Sequence, residues 1–269
     1  MATDIYNAPL GEIRAASTAG GGAALTTTAS VTPLIPWTQY LVLTPRNFAT
    51  AVVAKFALNP WLYVVKTSDN MVSEPVDYSD AAQDGSADTD VVLSSLNTLA
   101  NGDYVLIGSH TQFRGVQIDV DGTNSTAATT ATVKVRTRAG WVDLSATDGT
   151  KSATHLDQDG AITWTIPATW FMDSLANIYK NVSYNTEWWG IPLYWVRWEV
   201  DKALDSATTL NSVCALNRST VYGEIVPGQG LEQRVKHGPG GIGCVEHLTN
   251  AGTANMVVNC AVLSGGKFR

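Results

Sequence analysis

The sharpest alternation in the chain is Tyr194-Trp195-Val196-Arg197-Trp198-Glu199-Val200-Asp201. Tyr194, Val196, Trp198 and Val200 fall on one side, and Trp195, Arg197, Glu199 and Asp201 on the other. A period of two predicts a strand with one face on a core and the other near water. Bulky aromatics on the inward face suit the roughly 10 Å gap between two packed sheets. Residues 130–138 alternate in the same way, with Val133, Val135 and Thr137 inward and Lys134, Arg136 and Arg138 outward. Shorter runs at 91–93, 104–108, 113–119, 141–144, 162–166 and 208–216 bring this central module to seven or eight strands. Before it, 40–44, 50–56 and 61–66 read as strands, punctuated by Pro45-Arg46-Asn47 and Asn59-Pro60. After it, 220–226 and 256–263 are weaker strands around Gly238-Pro239-Gly240-Gly241-Ile242-Gly243.

Little in the pattern is helical. Pro167 opens the one short helix, over 168–175, as proline does at a first helical position. Residues 177–193 form a loop rich in aromatics, with Tyr179, Tyr184, Trp188 and Trp189. Residues 68–89 are acidic and lack apolar periodicity, which predicts a linker or a long surface loop. The expected fold is therefore all-β: antiparallel β-sandwich domains, an extended N-terminal arm and at most one short helix. Residues 1–35 would be the arm, 36–89 plus 218–269 a small discontinuous β domain, and 90–217 the central sandwich.

The arm is almost entirely Ala, Ser, Thr and Gly between Ala15 and Ser30, with Gly20-Gly21-Gly22 at its middle. Such a segment buries too little apolar area to offset its ordering entropy, so its order would have to come from a surface it lies on. That surface is either a neighbouring subunit or the chain's own body. Gly20, Gly21, Gly22 and Leu25 are its candidate partner contacts.

Composition narrows the function classes. Charged residues make up only 15% of the 269, against about 25% in ordinary soluble domains. A net charge of −7 disfavours nucleic-acid binding, which needs a basic patch. Cys214, Cys244 and Cys260 are an odd number without a close pair, so no disulfide framework is expected. No signal peptide is recognised after Met1, and no apolar run approaches the roughly 18 residues that span a bilayer. A cytoplasmic site of synthesis and no membrane partner follow as expectations.

Motifs that carry chemistry each meet a simpler structural reading. The Lys134/Arg136/Arg138 stripe suits cross-strand pairing with Glu199 and Asp201 better than anion binding. Asp119-Val120-Asp121-Gly122 and Asp157-Gln158-Asp159-Gly160 open like calcium loops, but the twelfth positions are Thr130 and Ala168 instead of glutamate. Cys244-Val245-Glu246-His247 offers one close ligand pair where zinc sites show two. The loop 238–243 lacks the Gly-Lys-Ser/Thr ending of a phosphate loop. Histidines 110, 155, 237 and 247 are scattered, without a Gly-x-Ser-x-Gly or His-Glu-x-x-His motif. No enzyme, metal or cofactor is expected. Trp188-Trp189 is either an exposed contact or the inner lining of a loop folded over a sheet edge.

The succession Phe113-Arg114-Gly115-Val116, Gly140-Trp141-Val142-Asp143-Leu144, Asp148-Gly149-Thr150, Asp159-Gly160-Ala161-Ile162-Thr163-Trp164, Pro167, Trp170 and Tyr194-Trp195-Val196-Arg197 resembles a β-sandwich module of tailed-bacteriophage structural proteins. The likeness covers about 90–217 and rests on aromatic, glycine and turn positions, which specify fold better than task. Residues 177–193 are longer than that pattern leads one to expect. The resemblance implies a non-enzymatic virion protein, assembled in the host cytoplasm, and most specifically a capsid decoration or cement protein. Its partners would be the major capsid protein and other copies of itself. A tail, neck or baseplate component is the nearest alternative, and a carbohydrate-binding receptor module using Trp188, Trp189 and Tyr184 is a more distant one.

Overall fold

Alternation decides which strands bury one face and which bury two, and the layers of the molecule follow from that distinction. The computed structural model describes residues 10–15, 23–34, 36, 38–49, 52–84, 86, 88–179 and 189–263, and among these nearly every regular element is a strand in one of four antiparallel sheets. The first sheet has seven strands, ordered Gly140–Asp143, Ala131–Thr137, Leu193–Val200, Asp103–Ser109, Tyr63–Ser68 and Val76–Asp77, with Met172–Asp173 also on Leu193–Val200. The second has five: Thr147–Asp148, Gly160–Thr163, Gly115–Gly122, Thr209–Ala215 and Val91–Val92. The third has four: Gly223–Ile225, Ala54–Pro60, Ile242–Thr249 and Ser30–Pro33. In the fourth, Leu10–Ala15 and Ala23–Leu25 lie along one side of Ala254–Leu263, with Tyr40–Arg46 and then Leu231–Arg234 on the other.

The main core lies between the first two sheets. Val64, Val105, Ile107, Val133, Val135, Val196 and Trp198 meet Val116, Ile118, Ile162, Leu210 and Val213. A smaller core lies between the third and fourth, where Ala54, Ile225 and Val245 meet Leu41, Leu43, Met256 and Val258. The Thr209–Ala215 strand packs against the third sheet and makes the stack continuous. The all-β sandwich expected from the alternation is the fold observed.

Several expectations change. The Leu193–Val200 strand buries both faces: Trp198 is 1% exposed and Trp195, expected near water, is 0%. A third apolar cluster covers that outer face, with Tyr104, Leu106, Trp189 and Leu175 around Trp195. Its packing needs a glycine at the directly opposed position, because a Cβ on Gly108 would stand 2.5 Å from the Trp195 ring. The helix is a single turn, Leu175–Ile178, capped by Ser174, whose hydroxyl accepts from the Asn177 amide at 3.2 Å. Residues 168–170 are instead a turn into Met172–Asp173.

Residues 61–84 belong with the central sandwich, not with the terminal sheets. Tyr63–Ser68 pairs with Asp103–Ser109, and Ala82 and Gln83 are fully buried. The described part of the arm contributes three short strands, Leu10–Ala15, Ala23–Leu25 and Ser30–Pro33, folded back on its own chain. Ile242–Thr249, whose start falls in the glycine-rich loop, is a central strand of the third sheet.

Candidate functional site

At Asn59-Pro60 the chain leaves the third sheet and two residues later enters the first. Trp61 and Leu62 make the crossing, and Gln83 locks it. The Gln83 side-chain oxygen accepts from the Leu62 amide at 2.8 Å and its NH2 donates to the Leu62 carbonyl at 2.5 Å, imitating a neighbouring strand. Gly243 lies opposite, where a Cβ would come within 2.2 Å of the Gln83 oxygen. The Trp61 amide donates to the Gly241 carbonyl at 2.9 Å. The glycine-rich loop thus lets backbone approach backbone, consistent with its lack of a phosphate-loop ending.

This crossing opens into a cleft of about 390 Å³ lined by Trp61, Tyr63, Asp77, Ser79, Asp80, Ile191 and Pro239. Trp61 and Tyr63 are two residues apart on extended chain and so share a face. Asp77 turns the next segment by accepting from the Ser79 amide at 2.9 Å and hydroxyl at 2.6 Å. That turn sets Asp80 on the exposed rim. Partial desolvation, and then the like charges of Asp77 and Asp84, push the Asp80 carboxyl above its usual range. His237 meets Trp61 edge-on, with centroids 4.8 Å apart and planes at 88°. Burial lowers the His237 pKa, against the pull of the Gln83 backbone and Asp84. The Trp61 indole N–H and His237 Nε2 are buried without a hydrogen-bond partner. On the far side His110 packs against Tyr63 at 6.1 Å.

Two other polar clusters are turned inward, the first of them with Asn59 Oδ1 and Arg114 Nε buried without a hydrogen-bond partner. Glu246, fully buried between the second and third sheets, accepts from Asn59 Nδ2 at 3.0 Å, the Asn217 amide at 2.7 Å, the Tyr222 hydroxyl at 2.6 Å and the Arg114 guanidinium. His155, in the main core, accepts from the Trp198 indole at 3.1 Å on Nε2 and meets Asp148 at 2.7 Å on Nδ1. That pair of contacts places the imidazole proton on Nδ1. Burial raises the Asp148 pKa, but hydrogen bonds from His155 and Thr150 outweigh it and leave it lowered. Both clusters are struts between layers, with every strong group turned inward.

The predicted site residues fare differently. Gly20, Gly21, Gly22 and Trp188 lie outside the described residues. Leu25, expected as a partner contact, is 1% exposed inside the terminal core. Trp189 is 8% exposed against the Trp195 cluster, and its carbonyl accepts from Ala176 at 3.1 Å. Both are packing residues of their own chain, because each has a complete apolar surface to lie on. The basic stripe is paired as expected, Lys134 to Glu199 at 2.8 Å, while Arg136 goes to Asp173 at 3.0 Å. Asp201 instead accepts from the Thr130 amide at 2.7 Å. Arg197 reaches Glu199 at 2.5 Å and lies over the Trp141 and Tyr104 rings.

In the acidic turns, Asp157 accepts from three successive amides, Ser152 to Thr154, which hold its carboxyl well below the usual range. Asp159 ties the two turns together by accepting from the Val120 amide at 2.9 Å. Cys214, Cys244 and Cys260 are buried thiols that form no disulfide. Among the described residues no group of three or more His, Cys, Asp or Glu side chains is placed to hold a metal, and no helix is long and apolar enough to cross a membrane.

The cleft was hidden in the sequence because its carboxylates fall in the segment 68–89, read as a solvated run. The available signal was the pair Trp61 and Tyr63, adjacent on one face just before that acidic stretch. Comparison with protein-family models, with curated proteins and with solved structures found no match to this chain.

Proposed function

We propose that the chain is a non-enzymatic structural component of a bacteriophage virion, a capsid decoration or cement protein bound to the outer shell and to neighbouring copies. The observation that carries this reading is the placement of the arm. Leu10–Ala15 is the last strand on its side of the fourth sheet, and Ser30–Pro33 is the last strand of the third, among the described residues. Both therefore offer strand edges on which another chain can add by main-chain pairing. The low share of charged residues, 15%, is compatible with close packing of copies. The Glu246 and His155 struts tie the first three sheets together, and a body so tied can transmit load between contacts. The module likeness of 90–217 points the same way.

The test is co-sedimentation of purified full-length protein with capsids prepared without it, beside a variant lacking residues 1–15. Full-length protein is expected to pellet with capsids, and the truncated protein to keep its melting temperature within a few degrees and lose binding. Full-length protein that ignores capsids but binds isolated tails would move the assignment to the tail. Protein that binds neither overturns the virion reading.

A further inference from the structure

We infer that the cleft beside Trp61 is a socket for one basic side chain, a lysine or arginine presented by a partner polypeptide. The inference does not depend on the virion assignment, since it concerns the chemistry of the ligand and not where the protein works.

The cavity, about 390 Å³, falls within the range of sites that enclose small ligands. Its walls divide into two kinds. Trp61, Tyr63, Ile191 and Pro239 provide an apolar passage, and Asp77, Ser79 and Asp80 a polar, anionic end. Lysine and arginine have the matching form, an apolar stem with a cationic tip, and aromatic walls add attraction for the cation.

Charge balance selects the cation over a neutral ligand. The charged neighbours acting on Asp80 are Asp77 and Asp84, both of its own sign. None of the ion pairs among the described residues includes Asp80. A sugar in the apolar passage would leave this repulsion in place.

A second observation selects a peptide over a free amine. The Trp61 side chain is 3% exposed, lines the cleft and has an indole N–H with no acceptor. A buried donor left unpaired is costly. A cation cannot accept that hydrogen bond, whereas the main-chain carbonyl beside a lysine or arginine can once a small turn of the indole brings the N–H to the cleft. Basic head and neighbouring carbonyl together answer both unmet needs of the cleft.

The experiment titrates ¹⁵N-labelled full-length protein with Nα-acetyl-arginine methylamide, Nα-acetyl-lysine methylamide and the neutral Nα-acetyl-norleucine methylamide. The readout is the Trp61 indole N–H resonance, assigned by its loss in Trp61→Phe. The basic amides are expected to move it saturably, and norleucine to leave it in place. Asp80 is exposed, so its substitution spares the core: Asp80→Asn should weaken binding about three- to tenfold and Asp80→Lys should abolish it. Raising sodium chloride from about 50 to about 500 mM should weaken binding several-fold, as for any exposed ion pair. The proposal is overturned by an absent shift with both basic amides, by an equal shift with norleucine, or by salt-independent binding. A response to maltotriose or chitotriose that persists in Asp80→Lys would make the cleft a glycan groove instead.

Discussion

In the central sandwich, large rings fill the space between sheets, and three of the indoles carry their own hydrogen bonds. Trp164 donates to the Phe113 carbonyl at 3.0 Å, Trp170 to Trp195 at 3.1 Å, and Trp198 to His155 at 3.1 Å. Phe113, Trp164 and Trp170 meet edge to face with centroids 5.3 to 6.5 Å apart. The terminal sheets enclose a smaller, mainly aliphatic core of Leu25, Leu34, Leu41, Leu43, Met256 and Val258. Their strands come from opposite ends of the chain, so closing them costs more loop entropy for less buried area. What offsets this is attachment: Asn59, Arg114, Tyr222 and the Asn217 amide converge on Glu246 across the second and third sheets. The central module is held by its interior, and the terminal module by its ends and by its neighbour.

The strongest way to break this contrast is Trp198→Ala, expected to cost about 3–5 kcal/mol from the lost ring and cavity, read as a lower urea midpoint. Trp198→Phe keeps most of the volume but leaves His155 Nε2 unpaired, at about 1–3 kcal/mol. Glu246→Gln should cost about 2–4 kcal/mol by removing the counter-charge of Arg114. Hydrogen exchange sharpens that result: amides of Leu41, Leu43, Met256 and Val258 should lose protection while those of Val105, Val133 and Val196 keep theirs. Equal loss in both sets would show one indivisible core and dissolve the comparison. Gly108→Ala, pressing on Trp195, should cost about 1–3 kcal/mol, measured by thermal melting and confined to the central module.

The smallest expected effect is on pH dependence. Donors from Ser125, Ala207 and Thr208 hold the Asp205 carboxyl down at about 2, and those of the 152–154 loop hold Asp157 lower still. A depressed folded-state pKa gives stability that is complete above the unfolded value, 3.8 for this group, and is lost as pH falls toward about 2. Asp80 and Asp119 are raised by burial first and by like charges second, so their contribution has the opposite sign and improves on protonation. Between about pH 4 and 2 the central loops should therefore loosen before the region around the cleft, as hydrogen exchange at Ser152 and Ala153 would reveal.

Most of the central strands were legible because alternation is a local property of extended chain. Residues 130–138 and 194–201 announced their strands, and the Lys134–Glu199 pair followed from their shared outward face, although it runs diagonally, Lys134 standing opposite Arg197 and Glu199 opposite Thr132. The arm was opaque for the converse reason. An Ala/Ser/Thr/Gly segment has no face of its own, and the strands at Ala23–Leu25 and Ser30–Pro33 exist because Ala254–Leu263 and Ile242–Thr249 provide ladders for them. The cleft was opaque as well, since Gln83 in an acidic, aperiodic stretch acquires meaning only when its amide meets the Leu62 backbone.

Sequence alone thus determined the all-β class, most strands of the central sandwich and the inward face that carries Trp198. Tertiary structure decided that Trp195 is covered too, that Tyr63–Ser68 and Val76–Asp77 join the central sheet, that Leu25 and Trp189 serve their own chain, and that Trp61, Tyr63 and Asp80 share one cleft. The division has a simple physical origin. Backbone period and turn chemistry act within a few residues, whereas coverage of a second face depends on which distant segments fold onto it.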